Sequence, residues 1–158
     1  MQVRFLLPPL KKGVKMDSRH INEHYAEIGK ELIESEPALE DIRFSEATIC
    51  YLSSEHEKVA DGKAVLGQCE RIQDKYKWAI PCDFTITLFE PNIEGLSEEQ
   101  IRIVILHELL HVGIRFNEKT GEEEYYVNPH DVEDFRMLID RYGIDWAQPG
   151  EDFELIKN

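Results

Sequence analysis

The chain is 158 residues long, enough for one domain that buries its own core without disulfide support. Its 32 acidic residues against 18 basic ones leave a formal charge of -14, which argues against nucleic acid or an anionic membrane as partner and suits a well-solvated surface. Cys50, Cys69 and Cys82 form no C-x-x-C pair, and no apolar run is long enough to cross a bilayer, so we expect free thiols in a reducing compartment and a cytoplasmic protein.

Residues 1–16 hold Pro8-Pro9, Lys11-Lys12 and Gly13 with little periodicity, and are expected to form a mobile arm without chemistry. The domain proper is expected to span residues 17–158. Asp17 or Ser18 can cap a helix running to about Glu34, with Ile21, Tyr25, Ile28 and Leu32 at helical spacing. On that helix His20 and His24 would share a face, and lacking a third ligand they read as solvated side chains. After Glu36-Pro37, residues Ala47 to Leu52 are β-branched and aromatic enough for a strand. Asp61-Gly62 turns into a second strand-like run, Lys63 to Ile72, giving a hairpin or meander. His56 and Cys69 have no partner at metal-binding spacing and read as structural. Asp83 to Glu90 alternates most clearly of all. It is an ordinary sheet strand or, at an edge beside the site, a strand that pairs with an extended peptide.

Ser97-Glu98-Glu99-Gln100 is a capping box that starts a helix through Ile101, Ile103, Val104, Ile105, Leu106, Leu109 and Leu110. A helix apolar on nearly every face is buried, so its few polar side chains must be satisfied. Those side chains include His107, Glu108 and His111, in the pattern H-E-x-x-H. Two histidines four residues apart stack one turn above the other, so both rings converge on one ion at about 2.0–2.1 Å. Glu108 lies about 100° around the helix, where it reaches a water on the metal as a general base without competing as a ligand. The spacing reads ligand, base, ligand.

Beyond Phe116 a polar stretch around Gly121 should be a surface loop. Tyr125 and Tyr126 are core or rim side chains, or phenols that face the metal and stabilise an oxyanion. Asn128 as N-cap and Pro129 at the first position predict a helix from His130 to about Tyr142, closed by Gly143, with Trp146 packing the tail back. That segment offers His130, Asp131 and Glu133 as a third metal ligand, and zinc accepts imidazole or carboxylate alike. His130 and Asp134 share a helical face, which would let Asp134 hold an imidazole of the site.

The stretches GQCERIQDKYKWAIPCDFTITLFEPN, HELLHVGI and YYVNPHDVEDFRMLIDRYGIDW resemble the phage metallopeptidases, small zincin-like proteins of bacteriophages and prophages. The resemblance implies an α+β, minimal zincin-like fold: an N-terminal helix, a small mixed or antiparallel sheet, the buried H-E-x-x-H helix, and a C-terminal helix bringing a third ligand. It maps that ligand onto His130. More distantly the chain looks like SprT-type proteases, whose DNA association does not suit so acidic a surface.

The expected function is that of a zinc metallopeptidase. Zn²⁺ on His107, His111 and a third protein ligand keeps an open position for water, and Glu108 is the general base. The expected partner is a peptide or protein substrate, with no membrane, in the bacterial host cytoplasm if phage-encoded. The alternative is a non-catalytic protein of the same fold with a structural zinc and an acidic surface for a basic partner.

Overall fold

The structure, a computed structural model, describes residues 18–130, 135–143 and 146. Residues 1–16, expected as an arm, lie outside the described residues, as do Asp131, Glu133 and Asp134. In chain order the elements are β1 (Arg19–Ile21), α1 (Glu23–Ser35), a 3-10 turn (Pro37–Leu39), α2 (Glu40–Arg43), β2 (Ile49–Ser54), β3 (Val59–Ala60) and β4 (Lys63–Ala64). Then come β5 (Gly67–Arg71), a second 3-10 turn (Asp74–Tyr76), β6 (Phe84–Phe89), α3 (Glu90–Ile93), α4 (Glu98–Leu110), β7 (Val112–Asn117), β8 (Glu122–Val127) and α5 (Arg136–Tyr142). The fold is α+β, with small sheets, as expected.

One sheet has the order β1-β2-β6-β5, in which β2 and β6 are parallel and the other neighbours antiparallel. The strand expected as a possible edge, β6, is therefore central, paired on both sides and buried at all six positions. Its alternation marks the two faces of the pleat and not one wet face. Phe84, Ile86 and Leu88 are wholly buried on the helix side, while Thr87 on the other face receives a hydrogen bond from Arg19, whose guanidinium also lies over Phe89. The edge beside the site is β5.

The start of α1 also differs from expectation. Residues Arg19–Ile21 pair with β2, and Asn22 is the cap, its side chain accepting from the backbone N–H of Tyr25 at 3.0 Å. His20 consequently sits on a strand and shares no helical face with His24, whose Nε2 lies 2.5 Å from Glu98 instead. The Asp61-Gly62 hairpin forms as the dipeptide predicts, with both residues at positive φ, 52° and 74°.

The capping box of α4 is present in full: Gln100 N–H donates to the Ser97 hydroxyl, and the Gln100 side chain accepts from Ser97 N–H. The helix packs against α1 on one side and against β5 and β6 on the other. Ile105, Leu106 and Leu109 are fully buried, each worth about 1.5–3 kcal/mol. The same Gln100 has no exposed surface and donates its side-chain amide to the carbonyl of Trp146, tying the tail to the start of this helix.

No continuous helix runs from His130 to Tyr142. Phe135 is extended (φ -78°, ψ 129°) and α5 begins after it, ending as expected at Gly143 with φ 84°. Arg141 fixes α5 to the rest of the domain by two hydrogen bonds to the buried Glu36 carboxylate, at 2.7 and 3.0 Å. Arg43 meanwhile donates to the Glu36 carbonyl.

Candidate metal centre

His107 lies in the last turn of α4 and His111 is its C-cap, still helical at φ -76° and ψ -18°. The two rings keep the four-residue stacking that the sequence predicts, with centroids 5.2 Å apart. There is no loop after the helix: β7 starts at Val112, and the β7–β8 hairpin returns the chain to the helix end, pairing Val127 with Val112. Pro129 follows, then His130. The hairpin thus delivers a third imidazole across the sequence, its Nε2 2.9 Å from His107 Nε2 and its centroid 4.4 Å from that of His111.

One nitrogen from each of His107, His111 and His130 lies within 4.8 Å of the others, so the trio can hold a metal ion. Imidazole nitrogens suit a first-row divalent metal. His56, Cys69, His20 and His24 do not join the group. Asp131 and Glu133, weighed as third ligands, and Asp134, weighed as an imidazole acceptor, fall outside the described residues.

Phe135 and Trp146 build the wall of the site. The Phe135 ring stands edge-on to all three histidines, at centroid distances of 5.3, 5.0 and 5.3 Å, and Trp146 lies 6.0 Å from His107. Sequence periodicity assigns Phe135 to the apolar face of a helix; its extended backbone turns the ring onto the imidazoles. Trp146 packs back as expected, 5% exposed.

Glu108 is 5% exposed and points toward β5. A Cβ on Gly67 would lie 3.0 Å from its Cγ and 3.2 Å from Oε1, so the carboxylate rests against a bare stretch of backbone. Burial pushes the nearby Cys69 thiol up to about 12, reinforced by the negative charge of Glu108 and of Glu70. The thiol stays protonated and inert.

His107, Glu108, His111 and His130 all line one cleft of about 550 Å³. Its other walls are the β4–β5 segment and apolar side chains including Val104, Val127 and Trp146. Tyr125 and Tyr126 are not among its lining residues. Tyr125 donates to Glu123 and packs edge-on to Phe84, while Tyr126 covers Gly113 across the hairpin, where a Cβ would come within 2.5 Å of the ring. Neither phenol faces the histidines.

Strand β5, at the edge of its sheet, lines this cleft with Gly67, Gln68 and Cys69. Phe89 N–H donates to Leu66 and Ile72 N–H to Asp83, so antiparallel alternation turns the peptide groups of Gln68 and Glu70 inward to β6. Those of Gly67 and Cys69 point away from β6.

Sequence reasoning missed Asn128 as part of this site. Read as a helix N-cap, it sits at the other end of the problem, joining β8 to the end of α4. Its carbonyl lies 2.6 Å from His111 Nδ1, its N–H donates to the His111 carbonyl at 2.6 Å, and its side-chain amide reaches the carbonyls of Leu110 and Val112, each at 3.3 Å. The sequence alone carries no signal for this, since it depends on β8 pairing with β7, the strand that leaves α4 directly.

Among the described residues no helix is long and apolar enough to cross a membrane. Neither the curated proteins nor the solved structures yield a match to this chain. A family model described as Putative phage metallopeptidase matches residues 19–154, which takes in both hairpins, the whole of α4 and all three histidines. By that match over most of its length, the chain belongs to the phage metallopeptidase family, whose name implies a metal cofactor and a peptide or protein substrate.

Proposed function

We propose that this protein is a zinc-dependent peptidase with a minimal zincin-like architecture, a single domain over residues 17–158 that works in the cytoplasm. The observation that carries this function is the convergence of three imidazole nitrogens within 4.8 Å beside a buried glutamate, all lining one cleft. Tetrahedral zinc with nitrogens at about 2.0–2.1 Å separates two ligands by about 3.3 Å. The 2.9 Å between His107 and His130 thus needs only a small widening.

His107, His111 and His130 would hold the ion and leave its fourth position open. When bound, zinc supplies Lewis-acid polarisation of the scissile carbonyl and a more acidic water. Glu108 takes a proton from the attacking water as its oxygen bonds to the carbonyl carbon, then delivers that proton to the leaving nitrogen as the C–N bond breaks. An extended peptide would lie along β5, bonded to the outward peptide groups of Gly67 and Cys69, a role first considered for the strand that proves central. The apolar walls favour segments with apolar side chains beside the scissile bond.

Glu108→Gln tests the assignment. The variant should bind as much zinc as the parent and lose about 10²- to 10⁴-fold in turnover of a peptide that the parent cleaves. Equal turnover removes Glu108 from the mechanism, and full zinc occupancy in a parent that cleaves no peptide library favours the non-catalytic, partner-binding alternative.

A further inference from the structure

We infer that Asn128 is the positioning residue of the metal centre: it sets the tautomer of His111 and ties the segment that leads from β8 to His130 to the end of the metal helix. The inference rests on the metal-binding function proposed for the three histidines, and its test separates the two.

The backbone already decides the tautomer. A carbonyl oxygen only accepts, so a nitrogen 2.6 Å from it must carry the proton, and His111 Nδ1 faces the Asn128 carbonyl at that distance. The proton is then on Nδ1, and Nε2 is the nitrogen that carries the lone pair a metal ligand needs. A metal-ligating histidine is commonly held in this way by an acceptor on its other nitrogen.

The side chain decides whether that carbonyl stays in place. Helix α4 ends without a glycine: His111 passes directly into β7, leaving the carbonyls of the final turn in need of donors. The Asn128 amide supplies donors to Leu110 and Val112, one residue on either side of His111, and its N–H takes the His111 carbonyl. Four contacts from one residue thus surround His111. Two residues later the chain presents His130, so the same clamp fixes the spacing of the second and third ligands. No donor other than an amide of this length does both: alanine has none, and aspartate turns acceptors toward two carbonyls.

The experiment uses the full chain and zinc alone. In the zinc-free parent, histidine-ring ¹⁵N spectra should show His111 as the Nδ1–H tautomer. In Asn128→Ala and Asn128→Asp that preference should weaken, and zinc affinity measured by chelator competition should fall by about 10- to 100-fold, with far-ultraviolet circular dichroism unchanged. Cobalt substituted into either variant should give an altered ligand-field spectrum, which loss of stability alone does not produce. An Nε2–H tautomer in the parent overturns the inference even if both variants fail to fold, and so does parental zinc affinity in a folded variant. A parent that binds no zinc overturns the metal-centre assignment, while the tautomer still tests the role of Asn128.

Discussion

Gly67 and Glu108 meet so closely that a methyl group on the glycine would displace the glutamate side chain: a Cβ on Gly67 would stand 3.0 Å from Cγ and 3.3 Å from Cδ of the glutamate. Gly67 is not among the positions with positive φ, so alanine is tolerated by the backbone and acts through this contact alone. A misplacement of about 1 Å at a reacting group costs about 10²-fold. The contact calls for a smaller shift than that, so Gly67→Ala should lower peptide turnover by less than that factor while zinc stoichiometry stays parental. Parental turnover in a peptidase-active preparation would mean that Glu108 does not need its present place.

The second prediction concerns the anchor of the wall that holds Phe135. Removing one partner of a buried ion pair costs about 3–5 kcal/mol because the other charge is left without compensation. The Glu36 side chain is 11% exposed and that of Arg141 35%, so solvent screens part of the loss. Arg141→Leu should destabilise the protein by about 2–3 kcal/mol in denaturant titration. Adding Glu36→Gln should restore part of it, and additive losses in the double variant would contradict the pairing.

Asp83 gives a pH dependence. Burial disfavours its charged form, yet the Thr48 N–H at 2.9 Å, the Lys77 ammonium at 3.1 Å and the Thr48 hydroxyl outweigh this and hold the carboxyl below its usual range. A depressed folded-state value means stability that is present above the ordinary carboxylate pKa and lost as pH falls through the lower, folded value. Asp83→Asn should cost stability at pH 7, toward the lower end of the about 1.5–3 kcal/mol of charged hydrogen bonds. The gap to the parent should close as pH falls below the ordinary carboxylate range. A gap that stays constant down to acid pH would contradict this role.

Metal removal should also be visible in stability. An ion that binds only the folded state adds about 4.1 kcal/mol when free metal is a thousandfold above its dissociation constant. Chelation should lower the melting temperature of the parent, and it should lower that of His130→Ala far less. Equal shifts would place the ion elsewhere.

Much of this arrangement was legible because local chemistry and burial agree. Ser97 and Gln100 announce α4, its apolar run announces burial, and His107, Glu108 and His111 then stand out as polar groups that need a reason. Asp61-Gly62 announces its hairpin in the same way. What was not legible depends on partners far along the chain. Nothing in Arg19–Ile21 marks a strand until β2 lies beside it, and the threonines of β6 look solvent-facing until Arg19 and the neighbouring strands cover them. Asn128 has the same side chain whether it caps a helix start or closes a helix end, and only the β7–β8 pairing shows the second use. The bare backbone at Gly67 acquires meaning only once Glu108 is placed against it.

The most direct measurement is the zinc content of purified protein by elemental analysis, with zinc supplied during expression, for the parent and for His107→Ala, His111→Ala, His130→Ala, Asp131→Asn and Glu133→Gln. If the three histidines hold the ion, the parent carries about one zinc per chain, each histidine variant falls well below that, and the two carboxylate variants stay near it. A parent without zinc, or a Glu133→Gln that loses the metal while His130→Ala keeps it, would contradict the three-histidine site.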